Sequence, residues 1–374
     1  MLSRAAACAV KLETLHLSNV RNYQQLDLEP AGGLNVFIGR NAQGKSNLLE
    51  AIAVLGTGKS FRTARERDLI MEGLEIAAIS GEAQTRAGSV RLACTVTSSA
   101  AGFRKAYSIN GSGVRYANFL GNLRVVTFVP SDLQLVTGAP AGRRSLLNSA
   151  LAQEQKTYFH ALARYQKTLA QKSALLKTEG EIDRQLIEIY NDTLVETGTQ
   201  IVLAREQFAG VLAAEAARMH AQWSVHERLE VKYHPNVPYE APTADAVAGA
   251  LAQRLRDVGP QERARQTNVA GPHRDDLDLL LDGRSLAAFG SQGQQRTAVL
   301  ALKVAEYSVM QDRSGEAPLL LLDDVLSELD PVRAAAFMEG VGSFEQAFMT
   351  ATHLPEGLPS AAAYTIENGA VLAG

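Results

Sequence analysis

The sequence predicts an α/β protein with two lobes, on three observations. A glycine-rich loop flanked by strand-like and helix-like segments lies near the N-terminus, and an apolar strand ending in two carboxylates lies near the C-terminus. Between them runs a long stretch with apolar residues at helical spacing. Because such loops and carboxylates meet at one edge of a sheet, we expect the helical stretch to interrupt the lobe that carries them. The predicted parts are a disordered extension (1–10), a first lobe with a mixed sheet and an antiparallel β subdomain (11–135 and 265–374), and a helical-hairpin second lobe (136–264).

Composition narrows the function classes. The chain has 374 residues, 46% of them hydrophobic, enough for a substantial core. Its 37 Lys and Arg nearly balance 40 Asp and Glu, so any nucleic-acid surface must be a local patch. The two cysteines, Cys8 and Cys94, allow no disulfide framework or zinc cluster, which suits a reducing cytoplasm. No apolar run approaches a membrane span, and the run before Cys8, interrupted by Arg4, only faintly resembles a secretion signal.

The glycine-rich loop, residues 39–46, fits the phosphate-binding pattern G-x-x-x-x-G-K-[ST]. It has the required flanks, an apolar strand over 33–38 and a helix over 47–55. The glycines let backbone N–H groups face phosphate oxygens, and the helix N-terminus adds partial positive charge. We expect Lys45 to reach the β- and γ-phosphates and Ser46 to ligate Mg²⁺. The predicted nucleotide-binding residues are Gly39, Arg40, Asn41, Ala42, Gln43, Gly44, Lys45, Ser46 and Asn47.

Strand-like segments surround this loop. Alternating apolar residues over 11–27 predict an antiparallel pair, and Asn110-Gly111 is a hairpin signal further along. The basic segment 56–62 has two interpretations, a contact with nucleotide or DNA phosphate, or a plain surface turn. The strands expected to form a β-rich subdomain are 74–79, 90–96, 103–109 and 123–129.

The second lobe is predicted from helical periodicity. Apolar residues at steps of three and four run from Arg143 to about Lys177 and, after a break at Glu179-Gly180, over 182–211. Two long helices joined by a short turn pack as an antiparallel hairpin, each about 50 to 70 Å long at 1.5 Å per residue. The segments expected after it are an extended connector (231–242), a shorter helix (244–255), a loop (271–277) and a strand (277–281) turning at Asp282-Gly283.

The strand over 318–322 ends in Asp323 and Asp324. Beside the glycine-rich loop, Asp323 would hold Mg²⁺ and Asp324 would orient an attacking water, whereas solvated acids in a turn are the alternative. A second site candidate is the segment 291–296, which precedes a helix over 297–311. Ser291 either caps that helix, or the segment is a second phosphate-binding helix N-terminus.

The order of these motifs resembles that of ATP-binding-cassette ATPases of the SMC-like branch, and more closely that of the bacterial RecF family of recombination mediators. The resemblance spans about Lys11 to the C-terminus, with Val20 standing where phenylalanine is common. The matching segments are N-V-R-N-Y (19–23), G-K-S-N-L-L-E-A-I (44–52), K-S-F-R (59–62), G-P-H-R-D-D-L (271–277), S-Q-G-Q-Q-R (291–296) and L-L-D-D-V-L-S-E-L-D (321–330).

The resemblance implies that two heads bind two ATP molecules at their interface. A signature loop would then contact, in trans, the nucleotide held at Lys45 and Ser46 of a second copy. His353 would be the switch histidine near the γ-phosphate, and residues 327–330 would couple the two sites. The signature-loop residues carried over in trans are Ser291, Gln292, Gly293 and Gln294.

The resemblance assigns less specific roles to two further places in the chain, residue 134 and the loop at 273–274. Gln134 falls roughly where a lid glutamine lies in the superfamily. His273 and Arg274 lie in a loop typical of the family, for which nucleotide contact and contact between the lobes both stay open.

The resemblance also implies the function. An ATP-dependent homodimer would clamp double-stranded DNA at gaps or single-strand/double-strand junctions and promote recombinase loading in DNA replication, DNA repair and the SOS response. Its implied partner protein is RecR, with or without RecO, and Lys45, Asp324 and His353 would form the catalytic set. Most ATP-binding cassettes have glutamate where this chain has Asp324. The shorter side chain holds its carboxylate about one methylene farther from the water, so we expect slow hydrolysis that resets a dimerisation switch. The resemblance implies that this hydrolysis depends on DNA.

Residues alone support DNA binding only modestly. Between positions 143 and 184, eight basic residues stand against four acidic ones, so a basic stripe along the helices could neutralise phosphates. An ordinary solvated helix face explains the same charges equally well. The basic residues are Arg143, Arg144, Lys156, Arg164, Lys167, Lys172, Lys177 and Arg184.

Three other functions are weighed against this one. The nucleotide-binding subunit of an ABC transporter is disfavoured by the long helices and by S-Q-G-Q-Q-R in place of a leucine-led L-S-G-G-Q. An SMC-type structural head would need long coiled coils, for which the chain has no room. A monomeric P-loop kinase would not need the segment 291–296.

Overall fold

The computed structural model describes residues 10–63, 65–100, 102–178, 183–224, 226–325, 337, 344–354 and 361–372. The chain divides into two compact units. The first unit holds residues 1–132 and 292–374, and the second unit holds residues 133–291. Within the described residues, no helix is both long enough and apolar enough to span a bilayer.

The strands are β1 (Lys11–Val20), β2 (Tyr23–Leu28), β3 (Gly33–Ile38), β4 (Ile76–Thr85), β5 (Gly88–Ser99), β6 (Gly102–Ile109), β7 (Ser112–Val114), β8 (Val125–Phe128), β9 (Leu229–His234), β10 (Asp276–Leu281), β11 (Arg284–Ser285), β12 (Leu319–Leu322), β13 (Gln346–Ala351), β14 (Ala361–Glu367) and β15 (Ala370–Leu372). The helices are α1 (Lys45–Thr57), α2 (Tyr116–Phe119), α3 (Gln134–Thr137), α4 (Pro140–Glu154), α5 (Lys156–Leu176), α6 (Arg184–Trp223), α7 (Ala244–Arg265), α8 (Leu286–Phe289) and α9 (Gln292–Ser314).

In the first unit, helix α1 packs against two sheets. One sheet is antiparallel in the order β2-β1-β4-β5-β6-β7, and the other is mixed in the order β15-β14-β3-β13-β12-β8. Strands β14, β3, β13, β12 and β8 run parallel, while β15 is antiparallel. Helix α1 contacts strands of both sheets and is buried on nearly every side, as its continuous apolar run predicts.

A buried glutamine joins the two sheets. Gln346, at the start of β13, is fully buried and accepts a hydrogen bond from the N–H of Leu12 in β1 at 2.8 Å. Its amide nitrogen donates to the carbonyls of Leu12 and Ala31 at 3.1 and 2.9 Å. Because a buried amide without partners is costly, these three bonds select one placement of β1 against β13.

The second unit is mainly helical. Helix α6, with 40 residues, is about 60 Å long at 1.5 Å per residue and packs against α5, α7 and β9. Strands β11, β10 and β9 form a small antiparallel sheet, in which β10 pairs with β9 along all six residues. The predicted turn at Glu179-Gly180 lies outside the described residues.

A buried carboxylate connects the elements of this unit. Asp275, 1% exposed, accepts hydrogen bonds from Arg205 of α6 at 2.8 Å and from the Tyr233 hydroxyl of β9 on Oδ2. The N–H of Asn236 donates to Oδ1 at 2.9 Å. Arg205 is itself 2% exposed and also donates to the carbonyl of Pro272 at 2.7 Å. The loop 271–277 is therefore the polar centre of the second unit.

The neighbouring carboxylate binds helix α4. Arg143 donates to Asp276 through Nε at 2.6 Å and through Nη2 at 2.8 Å, a bidentate pair. Its Nη1 donates to the carbonyls of Leu135 and Gly138 at 2.9 and 3.1 Å. Arg144 donates to the backbone carbonyl of Asp275 at 2.8 Å. Both arginines of α4 therefore form hydrogen bonds to residues 275 and 276 within the second unit.

Several predicted boundaries were wrong. The predicted helix from Arg143 to Lys177 is two helices, because Gln155 takes an extended backbone conformation between α4 and α5. The apolar periodicity continues across that break, so the sequence carries no sign of it. The predicted connector over 231–242 begins within strand β9, and the helix predicted over 244–255 continues to Arg265.

Two assignments to sheets and lobes also differ. The strand predicted over 123–129 is β8, which pairs with β12 in the mixed sheet rather than in the β-rich subdomain. Residues 265–291, expected in the first lobe, belong to the second unit because β10 pairs with β9 there. In both cases the pairing partner is distant in sequence.

We predict that Asp275→Ala destabilises the second unit by about 3–5 kcal/mol, because it leaves the buried Arg205 guanidinium without its carboxylate. The measurement is denaturant unfolding followed by circular dichroism. Glu196→Ala is the matched control, since it breaks the Arg164–Glu196 pair, whose side chains are 54% exposed on both sides. That change should cost less than about 1 kcal/mol. Equal losses for the two variants would contradict the central role of Asp275.

Candidate functional site

The carboxyl ends of three neighbouring parallel strands lie at one edge of the mixed sheet. Strand β3 leads into the glycine-rich loop, β12 leads into Asp323-Asp324, and β13, which pairs with both, leads into Thr352-His353. The loop and the two carboxylates therefore share an edge, as the sequence predicts. The strand between them supplies a third set of side chains.

Ser46 and Asp323 are in direct contact. The Ser46 hydroxyl, on the first turn of α1, donates to Oδ1 of Asp323 at 2.7 Å. Thr350, near the end of β13, donates to the same oxygen at 2.9 Å. The backbone N–H of Asp324 donates to the Thr350 hydroxyl at 2.9 Å. Side chains of two elements, α1 and β13, thus fix the Asp323 carboxylate at the end of β12. No sequence pattern points to Thr350.

This pair fits a magnesium ion bound with a nucleotide. Neighbouring ligands of an octahedral Mg²⁺ at about 2.1 Å lie about 3 Å apart, close to the observed Ser46–Asp323 separation. Hydroxyl and carboxylate oxygens are also the ligands that Mg²⁺ prefers. Within the described residues, no group of three His, Cys, Asp or Glu side chains forms a metal cage. An ion here would take its remaining ligands from phosphate and water.

Lys45 bends back over the glycine-rich loop. Its Nζ donates to the carbonyls of Gly39 and Arg40 at 2.5 and 2.9 Å. Burial lowers the pKa of Lys45, while the nearby charges of Asp324 and Asp323 oppose that shift. A partly desolvated ammonium between carbonyls and carboxylates is placed to bind a polyanion such as a triphosphate.

Asp324 and His353 are both solvent-exposed at this edge. Asp324 has a φ of 51°, a left-handed conformation that aspartate tolerates better than most residues. Such backbone outliers cluster at functional sites. The Thr352 hydroxyl lies 3.0 Å from Nδ1 of His353. Their catalytic roles stay predictions, and the predicted coupling residues 327–330 lie outside the described residues.

Two family segments hold helix α1 from outside. Glu50 of α1 is fully buried and accepts two hydrogen bonds from Arg21, at 2.7 and 2.8 Å. The Ser60 hydroxyl donates to the same carboxylate. Nη1 of Arg62 lies 3.7 Å from Oε2 of Glu50 and donates a hydrogen bond to Oδ1 of Asn47. The basic segment around Lys59 to Arg62 is therefore more than a surface turn.

The same N-terminal segment also binds the loop backbone. Asn22 donates through Nδ2 to the carbonyl of Gln43 at 3.0 Å, and the Tyr23 hydroxyl donates to the carbonyl of Gly44 at 3.1 Å. Burial raises the pKa of Tyr23, which keeps this hydroxyl a donor. The sequence marks this segment as a motif of the family but indicates no task for it.

The signature segment begins helix α9. Ser291 and Gln292 are exposed, and Gly293 accepts a hydrogen bond from the Thr297 hydroxyl at 2.9 Å. The helix that follows has 23 residues. Contacts in trans from Ser291 to Gln294 stay a prediction. So does the lid role of Gln134, which begins the short helix α3.

His273 and Arg274 bond within the second unit. His273 donates through Nε2 to the carbonyl of Asn268 at 3.4 Å, so in the neutral ring Nδ1 accepts from the Tyr165 hydroxyl at 2.7 Å. Arg274 donates to the same carbonyl at 2.6 and 2.9 Å. These bonds hold the loop 271–277 in place.

The proposed basic stripe is reduced by the structure. Arg143 is paired with Asp276, and Lys172 forms a buried ion pair with Glu262 at 2.6 Å. Cations paired with carboxylates inside the protein do not neutralise phosphates. The exposed members are Lys156, Arg164, Lys167, Lys177 and Arg184.

Comparison with known proteins shows the family of the chain. The family description RecF/RecN/SMC N terminal domain matches residues 11–362. The DNA replication and repair protein RecF of Symbiobacterium thermophilum is 42% identical over 351 residues, which cover 92% of this chain and 92% of that protein. The chain belongs to the RecF family. RecF of Acaryochloris marina is 36% identical, over 96% of this chain and 98% of its own.

Solved structures agree in fold. A structure of the recombination mediator protein RecF with ATP, in the RecFOR pathway, has a TM-score of 0.89 and 31% identity over 97% of both chains. An Smc head domain from Pyrococcus furiosus has a TM-score of 0.56 at 16% identity over 97% of this chain and 95% of its own, which shows a shared head fold. Membership in the RecF family rules out the transporter subunit and the P-loop kinase.

We predict that His273 lowers stability in acid. Burial lowers its pKa to about 4, helped by Arg274, Arg144 and Lys172 and opposed by the bond to Asn268. The unfolded chain then binds more protons below about pH 6.5, so this contribution is complete above that pH and is lost as pH falls towards 4.

The measurement is the unfolding free energy of the wild type and of His273→Gln between pH 7.5 and 4.5. The wild type should lose stability relative to the variant, with an extra slope of at most about 1.4 kcal/mol per pH unit. Parallel curves would show that His273 is not buried as a neutral ring.

Proposed function

We propose that this RecF-family chain is an ATP-dependent switch of recombinational repair. The observation that carries the proposal is the 2.7 Å bond between Ser46 and Asp323 beside the ammonium of Lys45. Together these groups form one Mg²⁺–triphosphate site at the end of the mixed sheet. The solved relative with ATP supports ATP as the nucleotide.

The residues have separate tasks in binding. Lys45 exchanges its bonds to the carbonyls of Gly39 and Arg40 for bonds to phosphate oxygens. Ser46 and Asp323 hold Mg²⁺, which neutralises phosphate charge when bound. Thr350 keeps Asp323 in place. His353, exposed after β13, senses the γ-phosphate.

A second copy of the chain completes the site. Ser291 and Gln292 are exposed immediately before and at the start of α9, where the partial positive charge of the helix dipole favours an anion. In an ATP-bound homodimer this segment contacts the γ-phosphate held by the other copy. Nucleotide binding is thereby converted into closure of two heads.

Hydrolysis then resets the switch. Asp324, exposed and in a left-handed conformation, orients the attacking water. Its short side chain supports slow turnover, so that the ATP-bound dimer persists.

The closed dimer clamps double-stranded DNA at gaps or junctions and promotes recombinase loading. The RecFOR pathway named for the solved relatives supports RecR as a partner, with or without RecO. The exposed cations of α5 and the start of α6, among them Lys156, Lys167 and Arg184, are candidates for phosphate contacts.

We predict an ATP-dependent dimer. With Mg²⁺ and ATP, light scattering after gel filtration should give twice the mass found without ATP. Lys45→Met should abolish ATP binding and the dimer. Ser291→Arg should bind ATP as a monomer, because the larger side chain blocks the second copy. Ser89→Arg, an exposed serine on β5, is the control and should dimerise normally.

The same samples test the DNA step. Wild-type protein with ATP should bind gapped duplex more tightly than blunt duplex, and more so with RecR, whereas Ser291→Arg should lose this binding. A wild-type monomer at saturating ATP would overturn the proposal.

We predict that Asp324→Asn separates binding from hydrolysis. The amide keeps the shape of the side chain but cannot orient water through a negative charge, so ATP binding and dimerisation persist while turnover falls about 100-fold or more. Phosphate release measured alongside the dimer mass checks both. Unchanged turnover would assign the water to another residue.

A further inference from the structure

The C-terminal hairpin lies against the glycine-rich loop at two points. At the first, a Cβ on Gly39 would come within 2.4 Å of the carbonyl of Ile366 in β14, so the two backbones touch there. At the second, the turn between β14 and β15 reaches Gln43. The N–H of Asn368 donates to Oε1 of Gln43 at 2.6 Å, and the N–H of Gly369 donates to the carbonyl of Gln43 at 3.0 Å.

The carbonyl of Gln43 is bound from a second side by Asn22, whose Nδ2 donates to it at 3.0 Å. Asn22 is oriented in turn by Asn47 of α1, which donates to Oδ1 at 2.8 Å. The turn and Asn22 are themselves in close contact, because a Cβ on Gly369 would lie 2.1 Å from the carbonyl of Asn22. Gln43 is therefore hydrogen-bonded to two segments that are far apart in sequence.

The direction of this carbonyl determines the direction of a phosphate donor. In a trans peptide, the C=O of one residue and the N–H of the next point to opposite sides. Because Asn22 and Gly369 bind the Gln43 carbonyl, the N–H of Gly44 points to the opposite side of that peptide, away from both partners. That N–H is one of the groups that a phosphate-binding loop must present to its ligand.

We propose that the Asn368-Gly369 turn is a positioning element of the nucleotide site, which sets the Gly44 N–H for phosphate. This inference rests on the ATP binding proposed above. It gives the C-terminal hairpin a task in ligand binding, in addition to completing the mixed sheet. It also predicts reciprocity, because a ligand that prefers the ordered loop must stabilise the turn bonded to it.

The test compares two glycines with the same backbone conformation. Gly369 has a φ of 74° and no room for a Cβ, whereas Gly111, in the Asn110-Gly111 turn, has a φ of 80° and nothing within 4 Å of an added Cβ. Gly369→Ala and Gly111→Ala therefore share the left-handed strain, but only the first displaces Asn22 and the turn. In calorimetric titration with Mg²⁺–ATP, we expect Gly369→Ala to raise the Kd about tenfold and Gly111→Ala to change it less than about twofold.

A measurement on the wild type serves if Gly369→Ala does not fold. In hydrogen exchange, saturating Mg²⁺–ATP should slow exchange at Asn368 and Gly369 and leave the Asn110-Gly111 turn unchanged. If the hairpin had only a structural role, the amide hydrogens of Asn368 and Gly369 would exchange at the same rate with and without ATP. Lys45→Met should show no slowing.

The outcomes separate this inference from the proposed function. If the wild type binds ATP but the two alanine variants have equal affinity, or the turn shows no slowing, the positioning role is wrong and the switch stands. If the wild type binds no ATP, both fail.

Discussion

The burial of helix α1 against two sheets is the constraint on which the nucleotide site depends. A helix enclosed in this way cannot rotate or slide, so its N-terminus and the loop before it have one position. The cost is a fully buried carboxylate, Glu50, on that helix. Arg21 compensates it with two hydrogen bonds, and the same segment continues into Asn22 and Tyr23, which bind the loop backbone. Charge compensation and loop geometry are thus supplied by one short piece of chain.

The second unit also contains a buried carboxylate that is compensated by an arginine. Asp275 is buried at the junction of α6, β9 and the loop 271–277, and Arg205 pairs with it in a site that excludes water. A buried pair of this kind adds little net stability, but either partner alone would be costly. Such pairs therefore select one arrangement of the elements that carry them. The family segments at 19–23, 59–62 and 271–277 consequently serve mainly to position other elements, while the groups proposed to bind and hydrolyse ATP lie at 39–46, 323–324 and 353.

The buried and hydrogen-bonded segments described above fix the side chains at the edge of the mixed sheet. Ser46, Asp323 and Thr350 come from three elements, and each is placed by backbone that is itself buried or bonded. A metal–phosphate site needs ligands held within about half an ångström of their working positions. Lys45, partly desolvated and close to both aspartates, supplies the opposite charge. Ser291 and Gln292 of the signature segment are exposed, as the proposed contact with a second copy requires.

The sequence by itself determined the features that are local. The glycine-rich loop with its flanking strand and helix, the strand ending in Asp323, and the hairpin at Asp282-Gly283 each need only neighbouring residues, so pattern and propensity suffice. The resemblance of the motifs to a known family added the fold of the ATPase head, which no single motif indicates.

Only the tertiary structure decided which side chains meet across long stretches of chain. The bonds from Asn22 and Gly369 to Gln43, and from Thr350 to Asp323, join residues that no local pattern connects. Arg143 and Lys156 look alike in sequence, yet one is buried against Asp276 and the other is exposed. The physical reason is that periodicity reports which face of an element is apolar, whereas the partner of a buried polar group is set by where distant elements pack.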